Sequence, residues 1–288
     1  MRLKQYIDEA TAQLTKAGVD SPRLCAEVLA REVLGDDTAG SARLFCILEA
    51  GREIEADALE RLHALVAQRS TGQPLAQIVG RKEFYGRDFS VTRHTLIPRP
   101  ETELLVDTAI ELLPQTPLHF ADLGTGTGCI GLTLLAESPN WKGLLMDLCP
   151  HAAGVAATNA RLLGVQDRAT ILRADMQRAP LKAESLQLVV SNPPYIAEAE
   201  RHMVMDEVLH NEPHSALFSE NNGLLHLAAV INAAAHALKN GGWVLLEHGA
   251  AQGKAVHDLL AASGIFKKIE NKRDIAQLDR CTLARKGL

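Results

Sequence analysis

A chain of 288 residues, 47% hydrophobic and 23% charged, is long enough for two domains or for one large α/β domain with an appendage, and it has the composition of an ordinary globular protein. Its formal net charge of −5 argues against a protein that lives on nucleic-acid phosphates, which needs a basic face. No apolar run approaches a membrane span. Cys25, Cys46, Cys129, Cys149 and Cys281 lack C-x-x-C spacing and read as reduced thiols, and Met1–Gln5 has no signal-peptide apolar core, so a cytoplasmic protein is expected.

Residues 1–72 read as helical. Leu3, Tyr6, Ile7, Ala10 and Leu14 recur at helical spacing up to Gly18, where a helix can end. Ser21-Pro22 offers an N-cap with proline at the first helical position. Leu24, Val28, Leu29 and Leu34 follow up to Gly35, and Leu59, Leu62, Leu65 and Val66 form another stripe, which together predict a small helical bundle. Its pattern fits a substrate-binding domain and a merely packing one equally well. Residues 73–98 change character, with Gly72, Gly80 and Gly86 around short runs (Phe84-Tyr85, Phe89-Ser90-Val91) that predict a β-hairpin between two domains. The prolines of Leu96-Ile97-Pro98-Arg99-Pro100-Glu101-Thr102-Glu103 end a strand, and a helix starts near Thr102.

From residue 99 onward strands and helices alternate. Strands are predicted over 118–123, 143–147, 169–173, 186–191, 243–247, 265–270 and 280–285. Helices are predicted over 129–138, 151–163, 223–239 and 251–262. Alternation of this kind predicts an α/β, mostly parallel, doubly wound sheet with its ligand at the carboxyl ends of the strands.

Four of those strand ends carry chemistry. Asp122-Leu123-Gly124-Thr125-Gly126-Thr127-Gly128 is a strand end followed by a glycine turn, whose backbone can bend sharply and approach a ligand closely. The spacing is neither the G-x-G-x-x-G dinucleotide fingerprint nor a phosphate-binding loop with a following Lys-Ser/Thr pair. Leu144-Leu145-Met146 ends in Asp147, nineteen residues after Gly128, where a carboxylate can grip both ribose hydroxyls. Asp175, ending the strand that contains Thr170-Ile171-Leu172, stands where an adenine edge would be read. Together with Asn192-Pro193-Pro194-Tyr195 at the next strand end, these features in this order predict a nucleoside-containing methyl donor, S-adenosylmethionine.

The fourth strand end is Asn192-Pro193-Pro194-Tyr195, after Leu186, Leu188, Val189 and Val190. It suits a site that holds a planar NH2 group. Such a nitrogen is a poor nucleophile because its lone pair is delocalised. An Asn side-chain carbonyl and a Pro backbone carbonyl can accept both N–H hydrogens, aim the lone pair and stabilise the positive charge that develops on nitrogen, with no strong base. Two prolines stiffen the loop without donating competing N–H groups, and Tyr195 offers a flat stacking face. Read alone, the tetrapeptide is also an ordinary strand-ending turn; its place in the series decides for the site.

The chain resembles the release-factor glutamine methyltransferases of the HemK/PrmC family over nearly its whole length. The motifs that carry the resemblance are Leu96–Glu103, Asp122–Gly128, Ser191–Tyr195, Asn211-Glu212-Pro213 with Ala216-Leu217-Phe218, and Leu246-Glu247-His248-Gly249 with Gln252. Asn-Pro-Pro-Tyr alone is shared with adenine and some guanine methyltransferases acting on nucleic acid; the combination is far more specific. The resemblance implies a helical substrate-recognition domain (1–72), a hairpin linker (73–98) and a Rossmann-like S-adenosylmethionine-dependent methyltransferase domain (99–288). The implied reaction places a methyl group on the side-chain amide nitrogen of the glutamine in the Gly-Gly-Gln loop of class 1 release factors, with S-adenosylhomocysteine as product and no metal. Gly124, Thr125, Gly126, Thr127 and Gly128 would hold the methionine part of the donor. Asp147 would bind the ribose, Asp175 and Met176 would flank the adenine, and Asn192, Pro193, Pro194 and Tyr195 would form the catalytic, substrate-binding element, with Asn192 also beside the donor. No nucleic-acid or membrane partner is implied. The chain departs from the family at Met176-Gln177, where Trp or Leu then Phe is usual, and at Gln277, where Gly is usual; residues 36–56 match loosely. Met176 can still cover an adenine ring through its polarizable sulfur.

Other candidates weigh less. Glu101 and Glu103 suit a helix start, although the resemblance puts their segment beside the donor and favours a site-lining role. His202, His210 and His214 fit no compact ligand motif and read as solvated loop histidines. His248 reads as structural and Cys129 as packing. Two functions compete with glutamine methylation: methylation of an exocyclic base amine in RNA or DNA, which needs base flipping and a basic channel, and a non-enzymatic cofactor-binding module, which has no use for an NH2-holding loop.

Overall fold

The computed structural model describes residues 1–35 and 40–287. Of the loosely matching stretch 36–56, residues 36–39 therefore lie outside the described residues. The chain divides into two units, Met1–Gly80 with Asp206–Asn211, and Arg81–Met205 with the chain from Glu212 onward.

The first unit is helical, as the periodicity predicts. Its helices are Leu3–Lys16, Pro22–Leu34, Ala42–Leu48, Ala56–Ser70, Leu75–Val79 and Asp206–Asn211. Leu3, Tyr6, Ile7, Ala10 and Leu14 are all buried and pack with Leu29, Leu62 and Val66 in one core. Leu24, expected in the apolar stripe, is 53% exposed, and Cys25, Ala26 and Ala30 take the buried face instead. Ser21 does not cap its helix with its side chain: its φ of 51° is left-handed, outside the extended conformation that turns an N-cap hydroxyl back onto the first turn.

The Asp206–Asn211 helix, far along the chain, is tied into this unit by a buried arginine. Arg69 Nη2 pairs with Glu207 Oε2 at 2.7 Å, and Arg69 Nη1 donates to the Gln73 carbonyl. Asn211 Nδ2 donates to the Gly72 carbonyl, and Gln77 Nε2 donates to the Asn211 carbonyl.

In the second unit the predicted hairpin is shorter than 73–98 and is no free linker. Strands β1 (Arg81–Phe84) and β2 (Arg87–Ser90) pair antiparallel through Tyr85 and Gly86, both at positive φ, as a tight hairpin turn requires. Phe84 and Phe89 are buried in the core of this unit with Leu105 and Phe120, because their aromatic rings bury more apolar area there than any linker position would. Leu75–Val79, expected in the hairpin segment, forms a helix of the first unit.

Seven further strands follow: β3 (Leu118–Leu123), β4 (Trp141–Asp147), β5 (Ala169–Arg173), β6 (Leu186–Ser191), β7 (Leu238–Glu247), β8 (Phe266–Arg273) and β9 (Asp279–Lys286). Among the described residues they form one sheet in the order β5-β4-β3-β6-β7-β9-β8. β3 to β7 run parallel, while β9 pairs antiparallel with both β7 and β8. β3 and β6 are almost wholly buried, as strands covered on both faces must be. Helices Glu103–Leu112, Cys129–Glu137, Pro150–Leu162, Leu225–Ala237 and Gly253–Ala262 connect them, so the predicted α/β architecture holds. β7 starts five residues before its predicted start, carrying Gly241-Gly242 within the strand.

Gln277 sits at φ 62° in the turn between β8 and β9, which explains the glycine usual there. Left-handed backbone costs an L-residue about 1–2 kcal/mol, against about 0.5–1 kcal/mol of entropy that glycine loses on folding. Gln277→Gly should therefore raise unfolding free energy by about 0.5–1 kcal/mol, read from urea melts, and an unchanged or lower midpoint would contradict it.

Candidate active site

The sheet order reverses between β3 and β6, where the chain runs outward through β4 and β5 on one side and through β7 on the other. A crevice at the carboxyl ends of the strands is expected at such a switch point. A cavity of about 350 Å³ lies there, within the range of small-molecule sites, lined among others by Gly126, Asp147, Met176 and Asn192.

On one side is the glycine turn after β3. Gly124, Gly126 and Gly128 all have positive φ, and the Gly124 and Thr125 N–H groups both donate to the Met146 carbonyl at 2.9 Å. Asp122, fully buried, braces the turn from beneath. Its Oδ2 accepts from Thr125 Oγ1 (2.7 Å) and from the Gly131 N–H (3.0 Å). Burial raises its pKa to about 6 against the pull of those two hydrogen bonds.

Asp147 ends β4 and lines the cavity. Its Oδ2 accepts from the Gly126 N–H and its Oδ1 from the Cys149 N–H, both at 2.9 Å. Each carboxylate oxygen has a second lone pair, so both remain able to accept from a diol. Burial raises the Asp147 pKa and the two backbone N–H groups lower it. Asp175 also lines the cavity, but β5 ends at Arg173. Asp175 is instead the N-cap of a short 3-10 turn, accepting from the Gln177 N–H at 2.8 Å. Met176 follows it into the lining, its Cε 2.8 Å from where a side chain on Gly124 would begin.

Opposite the glycine turn is the segment after β6. Of Asn192-Pro193-Pro194-Tyr195, Asn192 and Pro194 line the cavity, with Pro193 buried and Tyr195 half-buried behind them. Asn192 Nδ2 donates to Thr102 Oγ1 at 3.2 Å. Burial, and next the charge of Glu247, push the Tyr195 phenol up, so it stays neutral. The Tyr195 carbonyl accepts from Gln252 Nε2 at 2.9 Å, while Gln252 Oε1 takes the Gly249 N–H. Gly223, at φ 82°, lies so close that any Cβ on it would stand 2.0 Å from that carbonyl.

The Leu96–Glu103 stretch reaches the cavity through Leu96, Pro98, Arg99 and Thr102, not through the glutamates. Glu103 is turned away and accepts from the Tyr85 N–H of the hairpin at 2.8 Å, and Glu101 is exposed. Arg99 pairs with the buried Glu212 (Nη2–Oε1 2.5 Å), whose other oxygen takes the Ile97 N–H. That ion pair joins two segments some 110 residues apart that both carry the family resemblance. Sequence reading names both segments without seeing the pair, because only the fold brings them together.

The histidine candidates fall to structural roles. His202 and His210 lie on helical turns and not in a loop, each ring nitrogen beside a backbone carbonyl of its own turn (Ala199, 3.0 Å; Asp206, 2.7 Å). The His214 ring meets Phe218 edge-on. His248 is buried between Thr282 Oγ1 and the Gly249 carbonyl. Cys129 is half-buried and lines the cavity, but burial pushes its thiol up to about 12 despite a hydrogen bond from Thr127, the opposite of an activated nucleophile. Among the described residues no group of three or more His, Cys, Asp or Glu could hold a metal ion.

Residues 5–80 match a family model of the PrmC N-terminal domain, and residues 101–238 match one of the methyltransferase small domain. The release factor glutamine methyltransferase of Nitratidesulfovibrio vulgaris is 42% identical over 99% of this chain and 96% of its own length. Those of Cereibacter sphaeroides and Escherichia coli K12 are 41% and 35% identical, each over 99% of both chains. Among solved structures, a methyltransferase from Pyrococcus furiosus covers 78% of this chain and 98% of its own, with a TM-score of 0.53 at 12% identity. The hMettl16 catalytic domain, solved with the MAT2A 3'UTR hairpin 6, covers 77% and 81% with a TM-score of 0.57 at 15% identity. Both likenesses concern the methyltransferase fold.

Proposed function

The chain belongs to the release factor glutamine methyltransferases, and from that premise we propose that it methylates the N5 side-chain amide of the glutamine in the GGQ loop of class 1 peptide chain release factors, with S-adenosylmethionine as donor. The observation that carries this reading is the cavity at the switch point, with the glycine turn and Asp147 on one side and Asn192 and Pro194 on the other. When bound, the donor supplies an electrophilic methyl group on a sulfonium and leaves as S-adenosylhomocysteine. Gly124 to Gly128 would hold its methionine part, Asp147 its ribose, and Asp175 and Met176 its adenine.

The chain's own residues do the rest by positioning. The Asn192 side-chain carbonyl and a Pro backbone carbonyl accept the two hydrogens of the substrate amide, turning its lone pair toward the donor side of the cavity. Positive charge developing on nitrogen falls on those two oxygens, already oriented before the reaction. Tyr195, behind the lining, steadies this loop, its carbonyl held by Gln252. No carboxylate base is needed in the first step, because an amide nitrogen sheds its proton readily once methylated. The setting proposed is the cytoplasm; among the described residues no helix is long and apolar enough to cross a membrane.

Incubation with labelled methyl donor, purified class 1 release factors, tRNA and rRNA tests the proposal directly. Label should appear on the glutamine-bearing peptide of the release factor. Label on RNA with none on protein would transfer the assignment to base methylation.

The helical unit is proposed to recognise the release factor, since one glutamine loop offers little surface for discriminating among proteins. Ile47 and Leu48 on the Ala42–Leu48 helix are 61% and 73% exposed, large apolar side chains a partner can cover. Ile47→Ser with Leu48→Ser should raise KM for whole release factor about 5–20-fold, with kcat, donor affinity and stability nearly unchanged. An unaltered KM would remove this helix from the recognition surface.

A further inference from the structure

Glu247 is the last residue of β7, and the parallel register that pairs Ser191 with Leu246 makes Asn192 and Glu247 the next residues at adjacent strand ends. Glu247 is 2% exposed and its Oε2 has no hydrogen-bond partner. A buried carboxyl with an open lone pair costs stability, so one strand end away from the cavity-lining Asn192 it calls for a function. Thr102, also 2% exposed, accepts from Asn192 Nδ2–H at 3.2 Å and hydrogen-bonds to Glu247.

The chemistry of that trio is directional. An ionised carboxylate only accepts, a threonine hydroxyl has one proton to give, and an amide turned by 180° exchanges its oxygen for its nitrogen with almost no change of shape. Only one of the two Asn192 orientations can accept hydrogens from a substrate NH2; the other offers N–H groups to N–H groups. We propose that Glu247 is a positioning residue that, as a carboxylate, draws the Thr102 hydroxyl proton to itself, leaves Thr102 Oγ1 an acceptor only, and thereby holds Asn192 with Nδ2 on Thr102 and Oδ1 toward the substrate amide. Protonated Glu247 can itself donate to Thr102, which frees the hydroxyl to donate to Asn192 and allows the flipped amide. The kinetic consequence rests on the glutamine-methylation reading; the orientation of Asn192 does not.

Burial raises the Glu247 pKa to about 7; Thr102, Arg280 and Asn192 pull it down and Glu101 pushes it up. Tyr195, Cys129 and Cys281 also feel its charge, but their own pKa values lie far above. The active form is the ionised one, so positioning is complete above that pKa and fades below it.

The test follows kcat from about pH 5.5 to about pH 8.5 in wild type, Glu247→Gln, Thr102→Val and Thr102→Ser. It adds side-chain NH2 spectra of Asn192 in 15N-labelled protein, without substrate. Wild type should lose kcat as pH falls below about 7, with the Asn192 signals titrating in parallel. Glu247→Gln keeps an acceptor that can be presented either way round. It should be flat across that range, about tenfold slower at high pH, with non-titrating Asn192 signals. Thr102→Val should be about tenfold slower and Thr102→Ser close to wild type, with donor affinity within about twofold throughout. A wild-type acid limb surviving in Glu247→Gln, or Asn192 signals insensitive to pH in wild type, would overturn the proposal. Wild type that leaves release factor unmethylated would overturn the substrate reading, and the Asn192 spectra would still decide whether Glu247 sets its orientation.

Discussion

Asn192→Ala should lower kcat by about 10²–10³, the usual cost of losing one preoriented contact to charge that develops in the transition state. Donor affinity should hardly move, since the donor contacts proposed lie mainly on Gly124 to Gly128 and Asp147 across the cavity. The variant that separates positioning from base catalysis is Asn192→Asp, which keeps size and one acceptor and adds a possible base. Its new carboxyl would stand beside Glu247 at the next strand end, and two carboxyls so placed share a proton rather than ionise independently. It would also lose the Nδ2–H that anchors position 192 to Thr102. Asn192→Asp is therefore expected to be at least about tenfold slower than wild type at neutral pH. A rate equal to wild type or faster, with a second acidic limb in the pH profile, would refute positioning and establish general base catalysis.

The parts of the site that sequence makes legible are those written contiguously at the end of one strand. Buried parallel strands read as apolar runs, and the residues just past them are polar only where something is held there. For that reason Gly124 to Gly128, Asp147 and Asn192 to Tyr195 could be named with their order, and the structure gathers Gly124 to Thr127, Asp147, Asn192 and Pro194 around one cavity, with Gly128 outside its lining. What the chain does not display is pairing across the fold. Thr102 meets Asn192 from 90 residues away, and Glu247 reaches them only through the β6–β7 register. In sequence Glu247 is one acid in a strand-end motif, and Thr102 stands between two glutamates that look the better candidates. Asp206–Asn211 grouped with the helical unit is equally silent, since its partners Arg69, Gly72 and Gln77 are ordinary surface-type residues until the fold buries the arginine. Backbone conformation is the third gap: Ser21 before a proline looks like an N-cap, and only its left-handed φ shows that the hydroxyl is misdirected.

Asp147→Ala should weaken donor binding by about 1.5–3 kcal/mol, the cost of removing a charged hydrogen-bond partner. In the fold the carboxylate has two jobs, because the same two oxygens proposed to take the ribose hydroxyls already tie down Gly126 and Cys149. Loss of affinity could then arise from the missing ribose contact or from a loosened glycine turn. Stability alone cannot tell them apart. Removing the side chain loses two backbone bonds, yet it also relieves the burial that raises the Asp147 pKa. A carboxylate whose folded pKa is raised destabilises the fold once pH exceeds it, so the two effects oppose each other and the net change should stay within about 1–2 kcal/mol. A donor analogue lacking both ribose hydroxyls separates the contributions, as a double-mutant cycle does. If Asp147 grips the diol, wild type should lose about 1.5–3 kcal/mol on going to the deoxy analogue, and Asp147→Ala should bind the two ligands nearly alike. Calorimetric titration in which Asp147→Ala weakens both ligands by the same factor would show that the carboxylate serves the donor only by shaping the turn around Gly126.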